Sequence, residues 1–331
     1  MSHSATRRLW LTSAAALAAG SVVPRAARAQ GPAVLKLGHQ FSSGSIPDRV
    51  AQRLAEAVQT HSRGALRVEV FANAAFGDER EHLSLLRRGA LDLAITGDLV
   101  VTSLGDEYLP VNMPFAYRDV AHALAIYSGP LGQSLRNKLG NGGLQVLAWH
   151  HVGTRMLTAQ RPVPGVRELR GLRLRLPPDA AWSAVWRALG ATVVPLPFTE
   201  LPTALRLGKV DAQENPPNFV RTGRLYEDQR CLMTTAHMPQ RQLVLASGPR
   251  MAQWTRAQRS AVEAAATEAS AWAVGTAQTE HESDLAWLVG EGGMQKVAFD
   301  ASGIAALLPG VARSLGGPAA LAVYEQIQQT R

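Results

Sequence analysis

Short apolar runs of strand type alternate with stretches of helical period along most of this chain, and that order restricts the fold more than any other feature. "AVLKLGH" (33–39) reads as a strand, and a helical pattern runs from Asp48 to about Gln59 with Val50, Leu54, Ala57 and Val58 on one side. "LRVEVF" (66–71) alternates apolar and polar residues, "GDEREHLSLLRRGA" (77–90) has helical spacing, and "LDLAIT" (91–96) reads as a buried strand. Residues 119–139 read as a helix and "LQVLAW" (144–149) as a strand. This β-α-β-α-β order predicts a parallel or mixed sheet with helices on both faces. A second unit of the same kind follows. It has a strand in "GLRLRLP", a helix over 179–189, a strand in "ATVVPLP" (191–197), a helix over 199–207, and a strand running into a turn in "KVDAQENPP" (209–217).

From Thr255 to about Leu288 no proline interrupts a helical pattern, and Thr255 with Gln258 fits a capping box. At 1.5 Å per residue such a helix is roughly 50 Å long, more than a small domain is wide. Its apolar positions hold no heptad, so a coiled coil is disfavoured and the helix is expected to lie across both units. A length of 331 residues suits two ordinary domains. The expected architecture is two α/β lobes with a cleft between them, and ligands of open α/β sheets sit outside the C-terminal ends of the strands.

The first residues carry an export signal. The basic stretch "TRRLW" leads into a small-residue and apolar run over 9–23, and "ARAQ" supplies an Ala-x-Ala cleavage site at 27–29. That run is too short to span a bilayer. "TRRLWL" also resembles the twin-arginine export signal, which favours that route over the general secretory route. Either way the mature chain is expected to start near Gln30 or Gly31, outside the cytoplasm, with no other stretch apolar enough to cross a membrane. Formal net charge is +8, but Arg7, Arg8, Arg25 and Arg28 lie in the first 29 residues without any acid, leaving 30 basic against 26 acidic side chains. That mild bias suits a small anionic ligand and is too weak to argue for nucleic acid. Cys231 is the only cysteine, so no intramolecular disulfide can form.

Enzyme signatures are missing. No G-x-G-x-x-G follows a strand, and there is no P-loop and no G-x-S-x-G. His150 and His151 are adjacent, so on a strand they point to opposite faces, which argues against a metal site. Asp211, Glu200 and Glu214 lack a partner that the sequence can locate and read as capping or surface charges. Cys231 precedes His237 by six residues, but nothing visible lowers its thiol pKa, so it reads as structural. No cofactor and no metal are expected. What remains is a set of polar groups at strand and loop ends. In "RGLRLRLPPD" (170–179), Leu172, Leu174 and Leu176 point one way while Arg173 and Arg175 point the other, with Arg175 at the strand tip. "HHVGTRMLT" presents Arg155 just after a strand, and "DAQENPP" presents Asn215 at a turn. The planar fork of arginine matches the two oxygens of a carboxylate. Each residue also has a plainer reading, as a surface ion pair or a turn former.

Taken in order, the stretches "HHVGTRMLT", "ELRGLRLRLPPD", "LGATVVPLPFTELPTALRLGKVDAQENP", "LYED" and "TTAH" resemble the extracytoplasmic solute-binding proteins of TRAP transporters, the DctP family. "FANAAFGDEREHLSLLRRGALDLAI" and "NMPFAYRDVAHAL" fit the same pattern, so the resemblance covers essentially the whole mature chain. It implies a two-lobed periplasmic binding protein fold (type II-like), with lobes joined by crossing strands and spanned by a long helix. The expected lobes are 31–152 with about 240–280, and 153–239 with about 281–331. The resemblance further implies a monomeric periplasmic receptor, neither enzyme nor membrane-spanning, that hands an organic acid such as a C4-dicarboxylate to membrane permease subunits. Its arginine in the L-R-x-P stretch, the main salt bridge to the ligand carboxylate, falls on Arg175. The G-x-R arginine falls on Arg155, the Q-E-N-P asparagine on Asn215, and an aromatic often near the ligand on Phe198. His39 and Gln40 after the first strand are expected first-lobe contacts, with Asp98 a further candidate. Gly97 and Asp98 stand where sialic-acid-binding members carry a glutamate, which argues against that ligand, and Pro202 and Ala212 depart from the family pattern only locally. A lyase or isomerase of small organic acids, or a sensor feeding a kinase, are the rival readings.

Overall fold

The computed structural model describes residues 31–331, and the export signal expected at 1–29 lies outside the described residues. In chain order the first elements are β1 (Ala33–Gly38), α1 (Ile46–His61), β2 (Leu66–Phe71), α2 (Glu79–Arg87) and β3 (Leu93–Thr96). Next come α3 (Val120–Ser128), α4 (Pro130–Asn141), β4 (Leu144–Ala159), β5 (Arg173–Leu176), α5 (Ala180–Ala188), β6 (Thr192–Pro195), α6 (Leu201–Arg206) and β7 (Ala212–Asn215). The remainder is α7 (Pro217–Thr222), β8 (Cys231–Ser247), α8 (Gly248–Met251), α9 (Arg256–Gly290), β9 (Gln295–Val297) and α10 (Ile304–Gln329).

The strands form one mixed sheet in the order β2-β1-β3-β8-β4-β7-β5-β6, with β9 beside β8. On one side β1 runs parallel to β2 and β3; on the other β5 runs parallel to β6 and β7. Between these halves β4 and β8 pair antiparallel over 16 and 17 residues. Residues 243–246 of β8 hold β3, and residues 156–159 of β4 hold β7, so each end of this two-strand ribbon serves one half. The result is a two-lobed α/β fold with crossing strands. Register shifts interrupt the ribbon between His151 and Thr154 and between Arg155 and Leu157. Gly153 sits in the first of them at φ +120°, a conformation that side-chain-bearing residues avoid.

Several elements differ from the sequence reading. β4 continues ten residues past Trp149, so Arg155 lies within a strand and not after one. The expected helix over 119–139 is two helices, because Gly129 ends α3 and Pro130 starts α4 at a position where its missing N–H costs nothing. β8 was hidden in the sequence by its buried polar residues His237, Gln240, Arg241 and Gln242, which break any apolar alternation. The expectation that no stretch beyond the signal is apolar enough to cross a membrane also needs correcting. By length and composition α10 is, although Gly316 and Gly317 break its helical geometry and it packs on the turn Asp106–Asn112 and on α5.

The long helix is capped as expected. Thr255 accepts from Gln258 N, and the Gln258 side chain accepts from Thr255 N. Its buried side is a row of small residues, Ala261, Ala265, Ala269, Ala273 and Ala277, which lets α9 pack closely along α1, β4 and α7 and so across both halves of the sheet. Its alanines meet Leu37, Val50, Leu54 and Ile95 in one apolar cluster. On the opposite face a larger cluster includes Leu86, Met113, Leu135, Leu174, Trp186 and Leu245.

Candidate functional site

The strand ends converge on one cavity of about 50 Å³. β1 delivers Gln40 and Phe41 just past its end, β3 delivers Gly97 and Asp98, and β5 delivers Arg175. β6 is followed by Pro197 and Phe198, β7 ends in Asn215, and β8 contributes Gln240 and Gln242. Both halves of the sheet therefore line the same space.

Arg175 and Arg173 share a strand face but not a fate. Arg173 is half-exposed and bonds Asp211 through Nε at 2.9 Å, the solvated ion pair of the plainer reading. Arg175 is 1% exposed. Its Nε and Nη2 donate to the Leu196 carbonyl at 2.9 and 2.7 Å. Among the described residues no carboxylate lies within 4 Å of it. Burial pulls the guanidinium down to about 9, with Glu214 and Glu200 only partly offsetting the loss of hydration. A cation kept out of water without a counter-charge is costly, and an anion entering the cavity removes the cost.

Arg155 is placed differently. Its Nε and Nη2 clasp the Glu214 carboxylate, the latter at 2.8 Å, while Nη2 also reaches the Glu214 carbonyl at 2.5 Å and Asn215 Oδ1 at 3.0 Å. Nη1 donates to Gln240 Oε1, and the Trp182 ring lies 4.6 Å from the guanidinium. Glu214 is thus neither a cap nor a surface charge. Burial would raise its carboxyl, but the Arg155 charge and bonds from Arg155 and His237 hold it at about 2. His237 Nε2 lies 2.8 Å from Glu214 and its Nδ1 2.8 Å from Thr235 Oγ1. Burial lowers the imidazole despite Glu214, so it is neutral and donates Nε2–H to that carboxylate. Asn215 is fixed by this network from one side, and its Nδ2 donates to Gln213 Oε1 at 2.5 Å. The strand "AQEN" carries three polar residues, and the structure buries all four.

Of the remaining expected residues, Gln40, Asp98 and Phe198 line the cavity, and His39 does not. The His39 ring is fully buried behind Phe41, with Nε2 3.2 Å from Asp48. Phe198 joins Phe41 and Phe219 in a cluster with ring centroids 5.1–6.1 Å apart, an apolar wall drawn from both halves. Asp98 pairs with Arg241 and accepts from Gln240 Nε2 at 3.0 Å. Sequence reasoning missed Glu79, Asp179, Trp182, Gln240 and Gln242, all of which line the cavity. Asp179 caps α5 by accepting from Trp182 N at 3.0 Å and takes a second bond from Asn112 Nδ2 at 2.7 Å, while burial lifts its carboxyl to about 6. Among the described residues no group of three metal-ligating side chains forms.

Residues 37–308 match bacterial extracellular solute-binding protein family 7, DctP. An uncharacterized protein of Sinorhizobium fredii is 32% identical over 72% of this chain and 44% of its own length. The 2,3-diketo-L-gulonate-binding periplasmic protein YiaO of Escherichia coli is 30% identical over 61% of this chain and 62% of its own. The match thus spans less than two thirds of these curated relatives. The crystal structure of a TRAP periplasmic solute-binding protein from Roseobacter denitrificans with bound L-galactonate is similar at a TM-score of 0.85 and 26% identity, covering 91% of this chain and 100% of that one.

Proposed function

This chain belongs to the DctP family of bacterial extracellular solute-binding proteins, and from that premise we propose that it is the periplasmic receptor of a TRAP transporter, binding an organic acid in the cavity between its lobes and releasing it to the membrane permease. The observation that carries this reading is Arg175, a buried guanidinium in the cavity lining with no carboxylate within 4 Å among the described residues. Arg175 forms the bidentate clamp on the ligand carboxylate, and Asn215, held by Arg155 and Gln213, supplies a directional amide beside it. Arg155 is occupied by Glu214, so its part is to brace Asn215 and Gln240 and to add positive potential. The three phenylalanines exclude water from the clamp, which strengthens its charged bonds. Relatives named for 2,3-diketo-L-gulonate and L-galactonate support an organic acid as cargo. The receptor works as a single chain, with lobes of 31–152 plus about 240–280 and 153–239 plus about 281–331. A ligand closes such lobes only by contacting both, and the cavity lining meets that condition.

A thermal-shift screen of organic acids, followed by calorimetry on the best binder, tests the reading. Arg175→Ala is expected to lose on the order of 2–5 kcal/mol of binding energy, and Arg175→Lys to recover little of it, because an ammonium cannot form the fork. A loss below about tenfold in Kd, which is 1.4 kcal/mol, counts against the clamp.

A further inference from the structure

The cavity has two unlike ends. Around Arg175 the charges that bear most on the guanidinium are Glu214, Arg155 and Glu200. The rest of the lining carries the carboxyls of Glu79, Asp98, Asp179 and Asp78 beside the amides of Gln240 and Gln242. The charges that bear most on Glu79 are Asp98 and Asp78. The strand carrying Arg175 stands four places along the sheet from β3, which leads into Asp98.

At this second end the hydrogen bonding is unfinished. Asp98 is taken up by Arg241 and Gln240. Glu79 is 4% exposed and lines the cavity; the backbone N–H groups of Gly97 and Leu99 bear on its carboxyl, yet its Oε1 has no hydrogen-bond partner among the described residues. Gln242, 1% exposed and also in the lining, leaves its Oε1 unpaired. A buried acceptor without a donor is costly, so these atoms call for donors from whatever fills the cavity. Residue 97 is where a side chain would interfere, since a Cβ there would stand 3.1 Å from Glu79 Oε2. The glycine keeps this corner open.

Resting on the Arg175 clamp as the carboxylate site, we propose that Glu79 and Gln242 form a hydroxyl-recognising subsite, so that the ligand is a polyhydroxylated monocarboxylate and a dicarboxylate is rejected. A hydroxyl donates to one of these acceptors and accepts in turn. A second carboxylate brings only acceptors, so it can take the Glu79 proton but leaves Gln242 Oε1 without a donor. Burial and the nearby Asp98 push the Glu79 carboxyl up to about 8, so at neutral pH it carries its proton and can both donate to and accept from a hydroxyl.

Calorimetry on the purified protein at neutral pH tests this with matched probes: the aldonates galactonate, gluconate and erythronate, the aldarates galactarate and glucarate, and hexanoate. The best aldonate is expected to bind at least about tenfold tighter than either aldarate and than hexanoate, which is the size of one lost hydrogen bond to a buried group. Glu79→Gln, an isostere of the protonated side chain, should keep aldonate affinity, whereas Glu79→Ala and Gln242→Leu should each lower it several-fold. Neither of these two variants should weaken hexanoate binding, as a merely structural role would. If an aldarate or hexanoate binds as tightly as the best aldonate, the subsite falls while the clamp stands. If none of these acids binds, the carboxylate reading fails and this inference with it.

Discussion

Two buried ionisable side chains, Arg175 and Glu79, are each held away from water with few partners: Arg175 bonds the Leu196 carbonyl and Glu79 Oε1 is unpaired among the described residues. A native fold tolerates such groups when binding relieves them, since a missing partner costs more than a made bond returns. Glu79 also carries a pH signature. Its folded value lies near 8, above the ordinary carboxyl range, so between about pH 4.5 and 8 the folded chain holds a proton that the unfolded chain has released. Stability should therefore fall as pH rises through that window, with a slope of up to about 1.4 kcal/mol per pH step of one. Glu79→Gln removes that dependence. The variant is expected to gain on the wild type as pH goes from 5 to 8, measured by urea unfolding at several pH values. A constant difference between the two across that range would show that Glu79 titrates normally.

At the scale of elements, α9 and the β4–β8 ribbon tie the halves together. Polar side chains bind the helix besides its alanine row. Arg49 Nη1 of α1 donates to Glu280 at 2.8 Å, while Asn218 and Arg221 of α7 donate to Asp284 at 3.0 and 2.8 Å. Helix propensity contributes little to a tertiary helix compared with such packing. Thr255→Ala, which removes one side of the capping box, is accordingly expected to cost only about 1 kcal/mol. Ala269→Leu drives a large side chain into the α9 seam and is expected to cost about 1–3 kcal/mol. Chemical denaturation of both variants checks the order, and a larger loss for the cap than for the seam would reverse this account of α9.

Across the whole molecule, side-chain hydrogen bonds join the two halves of the sheet. Asn112, after β3, donates to Asp179, which caps α5 in the other half, and Ile46 N at the start of α1 donates to Asn218 Oδ1 of α7 at 3.0 Å. A ligand held by both halves has to break or bypass such bonds to leave. Asn112→Ala is expected to speed release of a bound acid about fivefold, the weight of one bond of about 1 kcal/mol. Stopped-flow fluorescence can follow this through Trp182 in the cavity lining. An unchanged release rate in a variant that keeps its thermal midpoint would show that the Asn112 bond does not hold the closed form.

Much of this was legible before the chain was folded. Alternating strand and helix periods were enough to determine the α/β class, because periods of 2 and 3.6 are imposed by backbone geometry within a few residues. Local capping chemistry marked the start of α9 at Thr255. The carboxylate-binding residue types at 155, 175 and 215 stood at strand ends or turns by the same local logic, although Arg155 proved to lie inside β4. Tertiary structure alone decided which charge is free. Arg155 and Arg175 look alike in sequence, but β4 lies beside β7, so Arg155 meets Glu214, while Arg175 finds only the Leu196 carbonyl among the described residues. Nor did the sequence show Glu79 or Gln242 in the lining, or β8 as a strand. Burial and pairing are properties of residues far apart in the chain, and no local pattern encodes them.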